Sequence, residues 1–146
     1  MNSQEIQETL KILLEKIGKV KVVWYLEGSV NLFVQGVPVE PKDIDITTNR
    51  KSFNKFRKIL EKETTRDFYI DKTKAHILKC LINSFEIEIA LYEEKNKSSF
   101  NTIKTLSWKN LNLPTQPLSQ ALNFYKLISR KDKVELIEKF LSLQTS

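Results

Sequence analysis

Several things are scarce in this 146-residue chain, and each absence excludes a class of function. It has one cysteine, Cys80, so no internal disulfide and no cysteine-rich zinc module is available. It has one histidine, His76, which argues against a histidine-based metal centre and leaves one candidate for any serine–histidine chemistry. His76 and Cys80 fall on one face of a strand-like segment, and with no further partners they read as packing residues rather than metal ligands. No run of about 18 apolar residues exists, so no membrane helix is expected. The opening segment MNSQEIQETLKILLEK is polar and charged, unlike a secretion signal, and a soluble cytoplasmic protein is the expectation. Glycine occurs three times, at Gly18, Gly28 and Gly36, so each one is informative.

Apolar residues make up 40% and charged residues 29%, enough for a core and too ordered a balance for a disordered chain. The net charge of +6 suits a polyanionic partner such as a nucleotide or a nucleic acid, and equally suits lysine-rich solvated faces. The length fits a single domain over residues 1–146, with a core at about 18–110 and C-terminal helices at about 117–143.

The pattern along the chain reads as an α+β (or α/β) domain with a mixed sheet flanked by helices. Residues 3–17 are an amphipathic helix with Ile6, Leu10, Leu13, Leu14 and Ile17 on one face, capped by Asn2 and Glu5 and ended by Gly18. VKVVWYL at 20–26 reads as a buried strand, Gly28-Ser29 as a turn, SVNLFVQ as a short helix, and VPVEPK as a loop. DIDIT at 43–47 alternates as a two-faced strand. Residues 51–63 give a second helix with Phe53, Phe56, Ile59 and Leu60 inward. Strands follow at 67–70, 75–82 and 84–91, the last two joined by Asn83-Ser84 as a hairpin. A charged loop covers 93–101, TIKTLSW reads as one more strand, and the tail from Pro117 to Leu143 gives two helices split near Ser129 to Asp132.

The chemistry concentrates in a strand, then Gly28-Ser29, a helix, and Asp43-Ile44-Asp45. Alternation puts the carboxylates of Asp43 and Asp45 on one face, where they repel each other. A divalent cation between them keeps both ionised, and hard oxygen donors select Mg²⁺, which completes its shell with water and phosphates. A third acid on a neighbouring strand would permit two metal ions. Glu86 and Glu88 both qualify, because alternation points them to the same face. Gly28 and Ser29, at a strand-to-helix turn, offer donors to a phosphate, although a turn glycine and a helix cap explain them equally. Phe124 and Tyr125 read as residues that pack the helix pair onto the sheet, and Asp132 as a helix cap or a partner for a nearby base.

The stretch LEGSVNLFVQGVPVEPKDIDIT, with 13 residues between Ser29 and Asp43, resembles the core motif of the DNA polymerase β-like nucleotidyltransferase superfamily. It looks closest to small stand-alone members, of the aminoglycoside 2″-adenylyltransferase-like and the abortive-infection or toxin–antitoxin groups. Gly28-Ser29-Val30-Asn31-Leu32…Gly36 resembles their Gly-Gly-x-Ala-Leu…Gly stretch, and Lys126-Leu127-Ile128-Ser129-Arg130-Lys131-Asp132 resembles their later helix pair. The resemblance runs over about residues 20–140. Two departures stand out. Val39 falls about where those groups often carry an arginine, and Leu32-Phe33 where tRNA CCA-adding enzymes carry an Arg-Asp pair. Glu88-Ile89-Ala90 resembles the third carboxylate of the latter enzymes, which favours Glu88 over Glu86.

The resemblance implies a nucleotidyltransferase fold and an Mg²⁺-dependent enzyme, with two ions, that moves an NMP from a nucleoside triphosphate to a hydroxyl acceptor. Asp43, Asp45 and Glu88 would be the catalytic and metal-holding residues. Gly28, Ser29, Lys42 and Lys126 would hold the nucleotide. The acceptor stays open among a small molecule, RNA and protein, and the short chain leaves room for a second subunit or partner protein to complete its site. The alternative is a catalytically inactive module of the same fold that binds nucleotide or RNA, or that acts in a toxin–antitoxin pair.

Overall fold

The first helix is fixed at its start by the reciprocal bonds expected of Asn2 and Glu5. Glu5 N–H donates to Asn2 Oδ1 at 2.8 Å, and Asn2 N–H donates to Glu5 Oε1 at 2.9 Å. The computed structural model describes residues 1–93 and 98–145. In chain order its elements are α1 (Ser3–Ile17), β1 (Trp24–Glu27), α2 (Gly28–Val34), β2 (Ile44–Thr48), α3 (Arg50–Ile59), β3 (Thr64–Ile70), β4 (Ala75–Ile82), β5 (Phe85–Tyr92), α4 (Ser98–Asn101), β6 (Lys104–Trp108), β7 (Leu111–Thr115), α5 (Leu118–Leu127) and α6 (Lys131–Thr145). No helix among the described residues is long and apolar enough to cross a membrane.

The strands form one mixed sheet in the order β3-β4-β5-β2-β1-β7-β6. The β1–β2, β3–β4, β4–β5 and β6–β7 pairs are antiparallel, and β2–β5 and β1–β7 are parallel. Alternation along each strand sorts residues onto two faces. Trp24, Leu26, Ile44, Ile46, Ile87 and Ile89 pack with Leu10 and Leu13 of α1 and Phe53 and Phe56 of α3 into the main core. Asp45, Thr47, Glu88 and Ala90 point to the opposite face. A second, smaller core of Leu32, Val37, Ala121, Tyr125 and Ile137 seats α5 and α6 beside α2.

Several boundaries differ from the sequence reading, each for a local reason. β1 starts at Trp24, not at residue 20, because side chains take the preceding backbone groups. Ser52 Oγ accepts from Val23 N–H at 2.8 Å, and Thr48 Oγ1 donates to Val23 O at 2.6 Å. Val20 and Val23 are consequently exposed rather than buried. β2 starts at Ile44, so Asp43 stands in the bend just ahead of the ladder. α3 ends at Ile59 because the amides of Glu63 and Thr64 fold back onto Leu60 O at 3.1 and 3.0 Å. Part of the charged loop at 93–101 lies outside the described residues, and its last four form α4. β7 escaped the sequence reading because Pro114 argues against a strand. It is tolerated because β7 shares a single register pair with β1, Leu26 with Thr115.

Two tight hairpins set the register. Asn83 and Ser84 join β4 to β5 with φ of 55° and 67°, and Lys109 and Asn110 join β6 to β7 with φ of 48° and 66°. Two successive left-handed residues make the turn whose twist matches the strands, and glycine meets its second position best. Ser84→Gly and Asn110→Gly should each raise stability by about 0.5–1 kcal/mol, read as a higher urea midpoint at unchanged slope. A lowered midpoint would contradict these turns.

Candidate active site

The site is built by register. Glu27 at the end of β1 faces Asp45 on β2, and Asp45 faces Glu88 on β5, so three adjacent strands line up three carboxylates. Asp43 precedes them in the bend. Glu86, two residues from Glu88, leans away to Lys79 of β4, 3.7 Å between Nζ and Oε1. The ladder therefore separates the two candidates that alternation alone left equal: Glu88, and not Glu86, stands opposite Asp45.

Gly28 does more than turn the chain. Its φ is +68°, a conformation that favours glycine, and a Cβ there would stand 2.6 Å from Asp45 Oδ2. The missing side chain is the space that the Asp45 carboxylate occupies. Crowding has an electrostatic consequence. Burial, the negative charge of Asp43, a hydrogen bond to Glu88 and the charges of Glu88 and Glu27 push the Asp45 carboxyl up to about 8. That shift favours the protonated form of Asp45, which is hydrogen-bonded to Glu88.

Glu27, Asp45 and Glu88 line a cleft of about 230 Å³, and Asp43 stands outside its lining. Ala90 and Tyr92 continue its floor, and Phe124, Tyr125, Ile128 and Arg130 line the α5 side. Burial and the charge of Glu27 push both the Tyr92 and Tyr125 phenols above their ordinary range. Thr47 Oγ1 donates to Glu27 Oε2 and so fixes that carboxylate against the floor.

The cations are arranged differently from the sequence reading. Lys126 does not reach the cleft: its Nζ lies 3.6 Å from Glu138 Oε1, on the outer side of the helix pair. Lys42 is exposed beside Asp43 and does not line the cleft. Arg130 is held by Asp132, with Nε–Oδ1 and Nη2–Oδ2 both at 3.2 Å. Lys133 of α6 is the lysine that approaches the Gly28-Ser29 turn, donating to Ser29 Oγ at 3.3 Å. It has no ion pair among the described residues.

Sequence reasoning missed Glu27, Lys133 and Asn31. Glu27 was visible only as the residue before Gly28, and its role depends on the β1–β2 register. Asn31 is buried and bonds both ways with Gln116, Nδ2 to O and Oδ1 from N–H at 3.0 Å each. Gln35 Nε2 adds a bond to Gln116 O at 2.8 Å. This clamp ties α2 to the chain entering α5 and so sets the cleft wall. His76 lies across the sheet from the cleft, between Asp67 and Arg57, and Cys80 is buried with its thiol pushed up to about 11 by desolvation. Neither takes part in the site.

In the arrangement described, no three histidine, cysteine, aspartate or glutamate side chains among the described residues converge as a metal centre requires. The donors nevertheless fit a hard cation in kind. They are all carboxylate oxygens, and burial together with the charges of Asp43, Glu88 and Glu27 raises the Asp45 carboxyl, a cost that a cation would relieve.

Two predictions follow from the crowding. Gly28→Ala should cost about 2 kcal/mol or more, because strain at positive φ adds to the collision with Asp45. A chemical-denaturation midpoint within about 0.3 kcal/mol of the parent would contradict that contact. Asp45 has a folded pKa above its unfolded value of 3.8, so its contribution is fully present below about pH 4 and lost as pH rises toward 8. In metal-free buffer, Asp45→Asn should therefore melt higher than the parent, with a gap that widens from pH 4 to 8 and then levels. A constant gap across that range would refute the shift.

No protein-family model matches the chain, and no curated protein matches it in sequence. Solved structures do match its fold. A candidate nucleotidyltransferase from Thermotoga maritima superimposes with a TM-score of 0.78 at 22% identity, covering 97% of this chain and 96% of that one. The lincosamide antibiotic adenylyltransferase LnuA, bound to lincomycin, gives 0.64 at 15% identity, covering 94% and 97%. ANT(2″)-Ia in complex with adenylyl-2″-tobramycin gives 0.63 at 9%, covering 99% and 92%. Such identities speak to architecture, and on architecture they agree with the Gly28-Ser29…Asp43-x-Asp45 motif: the chain has the nucleotidyltransferase fold.

Proposed function

We propose that the chain is a metal-dependent nucleotidyltransferase, one unit over residues 1–146, that transfers an NMP from a nucleoside triphosphate to a hydroxyl acceptor. The observation that carries this reading is the row Glu27–Asp45–Glu88, with Asp45 seated in the space left by Gly28 at the strand-to-helix turn. The acceptor oxygen forms a bond to the α-phosphorus, the bond from that phosphorus to the bridging oxygen breaks, and pyrophosphate leaves with the electron pair. The acceptor proton passes to Glu88.

Asp43, Asp45 and Glu88 would hold Mg²⁺, two ions in the full site. When bound, the metal neutralises the triphosphate and stabilises the charge that develops on transfer. Ser29 and Lys133 hold the phosphates, with Lys42 available beside Asp43. Lys133 takes the place that the sequence suggested for Lys126. Tyr92 on the floor and Phe124 and Ile128 on the wall orient the acceptor next to the acids. Among acceptors, the neighbouring structures favour a hydroxyl-bearing small molecule over RNA or protein, because those structures carry lincomycin and an adenylylated tobramycin.

Calorimetry with ATP, GTP, CTP and UTP tests the reading. Binding should require Mg²⁺ and fall at least about 100-fold in Asp45→Asn and in Glu88→Gln, while Glu86→Gln leaves it within about 2-fold. Lys133→Met should weaken binding about 10-fold and Lys126→Met should not, as expected for one charge-assisted phosphate contact. Binding without metal, or binding indifferent to Asp45, would favour the inactive nucleotide- or RNA-binding module instead.

A further inference from the structure

Helix α3, RKSFNKFRKI, carries five basic side chains and no acidic one. Its buried residues Ser52, Phe53 and Phe56 face the main core. The two arginines are neutralised on one flank, Arg50 by Glu93 at 3.4 Å and Arg57 by Asp67 at 2.9 Å. The three lysines are not. At about 100° per residue, Lys51, Lys55 and Lys58 fall within about 60° of arc, a stripe some 10 Å long at about 1.5 Å per residue. None of them has an ion pair among the described residues.

The stripe extends onto the segment before β1. Lys55 Nζ donates to Lys21 O at 2.7 Å, which holds residues 19–23 alongside α3. Lys19 and Lys21 on that segment are exposed, and they too lack ion pairs among the described residues. Five lysines thus gather on one surface, on the face of the sheet opposite the carboxylates. Glu61 and Glu63 lie just beyond α3, and Glu63 is taken by Lys16 at 3.3 Å.

We infer that this lysine surface binds the phosphodiester backbone of a nucleic acid. Lys55 is half-buried and held on Lys21 O, while Lys19, Lys21, Lys51 and Lys58 are exposed, and a row of such ammonium groups neutralises successive phosphates without reading bases. A membrane is disfavoured, because the apolar side of α3 is committed to the core and has no free face to insert. The inference is independent of the proposed transfer reaction, since it uses no residue of the cleft.

The test is fluorescence anisotropy with a labelled 20-nucleotide single-stranded RNA and a 20-base-pair DNA duplex, from 50 to 200 mM salt. The parent should bind at least one of the two, with a logarithmic salt slope of roughly −3 if about four phosphates are engaged. K51E/K58E should weaken binding at least about 10-fold at 50 mM salt and flatten the slope by about 1. K72E/K139E, with the same change of net charge on other surfaces, should stay within about 2-fold. K51Q/K58Q should show a smaller loss than K51E/K58E, and circular dichroism reports whether each variant is folded. RNA preferred over duplex, or the reverse, identifies the source of the backbone. Equal losses in the two Glu pairs would show diffuse charge and overturn the inference. So would the absence of saturable binding at 50 mM salt, or tighter binding to phosphatidylserine vesicles than to either nucleic acid.

Discussion

The structure depends on a single close approach, that of the Asp45 carboxylate to the bare α-carbon of Gly28. A side chain of any size at Gly28 would meet Asp45 Oδ2 at 2.6 Å. Glycine there serves two ends with one atom removed: it allows a left-handed turn from β1 into α2, and it vacates a socket for the central acid. The β1–β2 register then brings Glu27 to one side of that acid and the β2–β5 register brings Glu88 to the other. Three like charges would ordinarily disrupt a half-buried surface. Here burial and the neighbouring acids push the Asp45 carboxyl up to about 8, toward its neutral form, which lessens that repulsion.

Everything around this row holds it in place. Ile44 and Ile46, fully or almost fully buried, anchor β2 in the main core on the opposite face, so the strand cannot slip by one residue without turning Asp45 inward. The amide clamp of Asn31, Gln35 and Gln116 fixes α2 to the start of α5. That clamp brings Phe124, Tyr125 and Ile128 over the acids, and the α5–α6 pair in turn carries Lys133 to Ser29. The cleft is therefore acidic on its floor and walled by Phe124, Tyr125, Ile128 and Arg130, with Lys133 on Ser29 next to the Gly28 turn.

Much of this was legible in the sequence, and the reasons are local. The alternation in Asp43-Ile44-Asp45 marked β2, the caps at Asn2 and Gly18 bounded α1, and Asn83-Ser84 marked a two-residue hairpin. The Gly-Ser…Asp-x-Asp motif resembles that of the nucleotidyltransferase superfamily, and that resemblance implied the fold. What stayed hidden depends on long-range pairing. Alternation left Glu86 and Glu88 equal and only the resemblance leaned to Glu88; it takes the β2–β5 register to show that Glu88 stands beside Asp45. Glu27 needed its register with Asp45. Lys126 and Lys133 are indistinguishable by type, and only the packing of α6 on α2 separates them. β7 was masked by Pro114, because a local rule against proline in strands carries no knowledge of a nearly unpaired edge.

The most direct test of the account is where a metal–triphosphate complex lands. Mn²⁺ with a non-hydrolysable nucleoside triphosphate, titrated into ¹⁵N-labelled protein, broadens the amide signals nearest the ion. The account predicts loss of signal at Gly28, Ser29, Asp45 and Glu88, no effect along α1 and α3, and recovery of those signals in Asp45→Asn. Broadening centred elsewhere, or broadening at Gly28 and Glu88 that persists in Asp45→Asn, would contradict it.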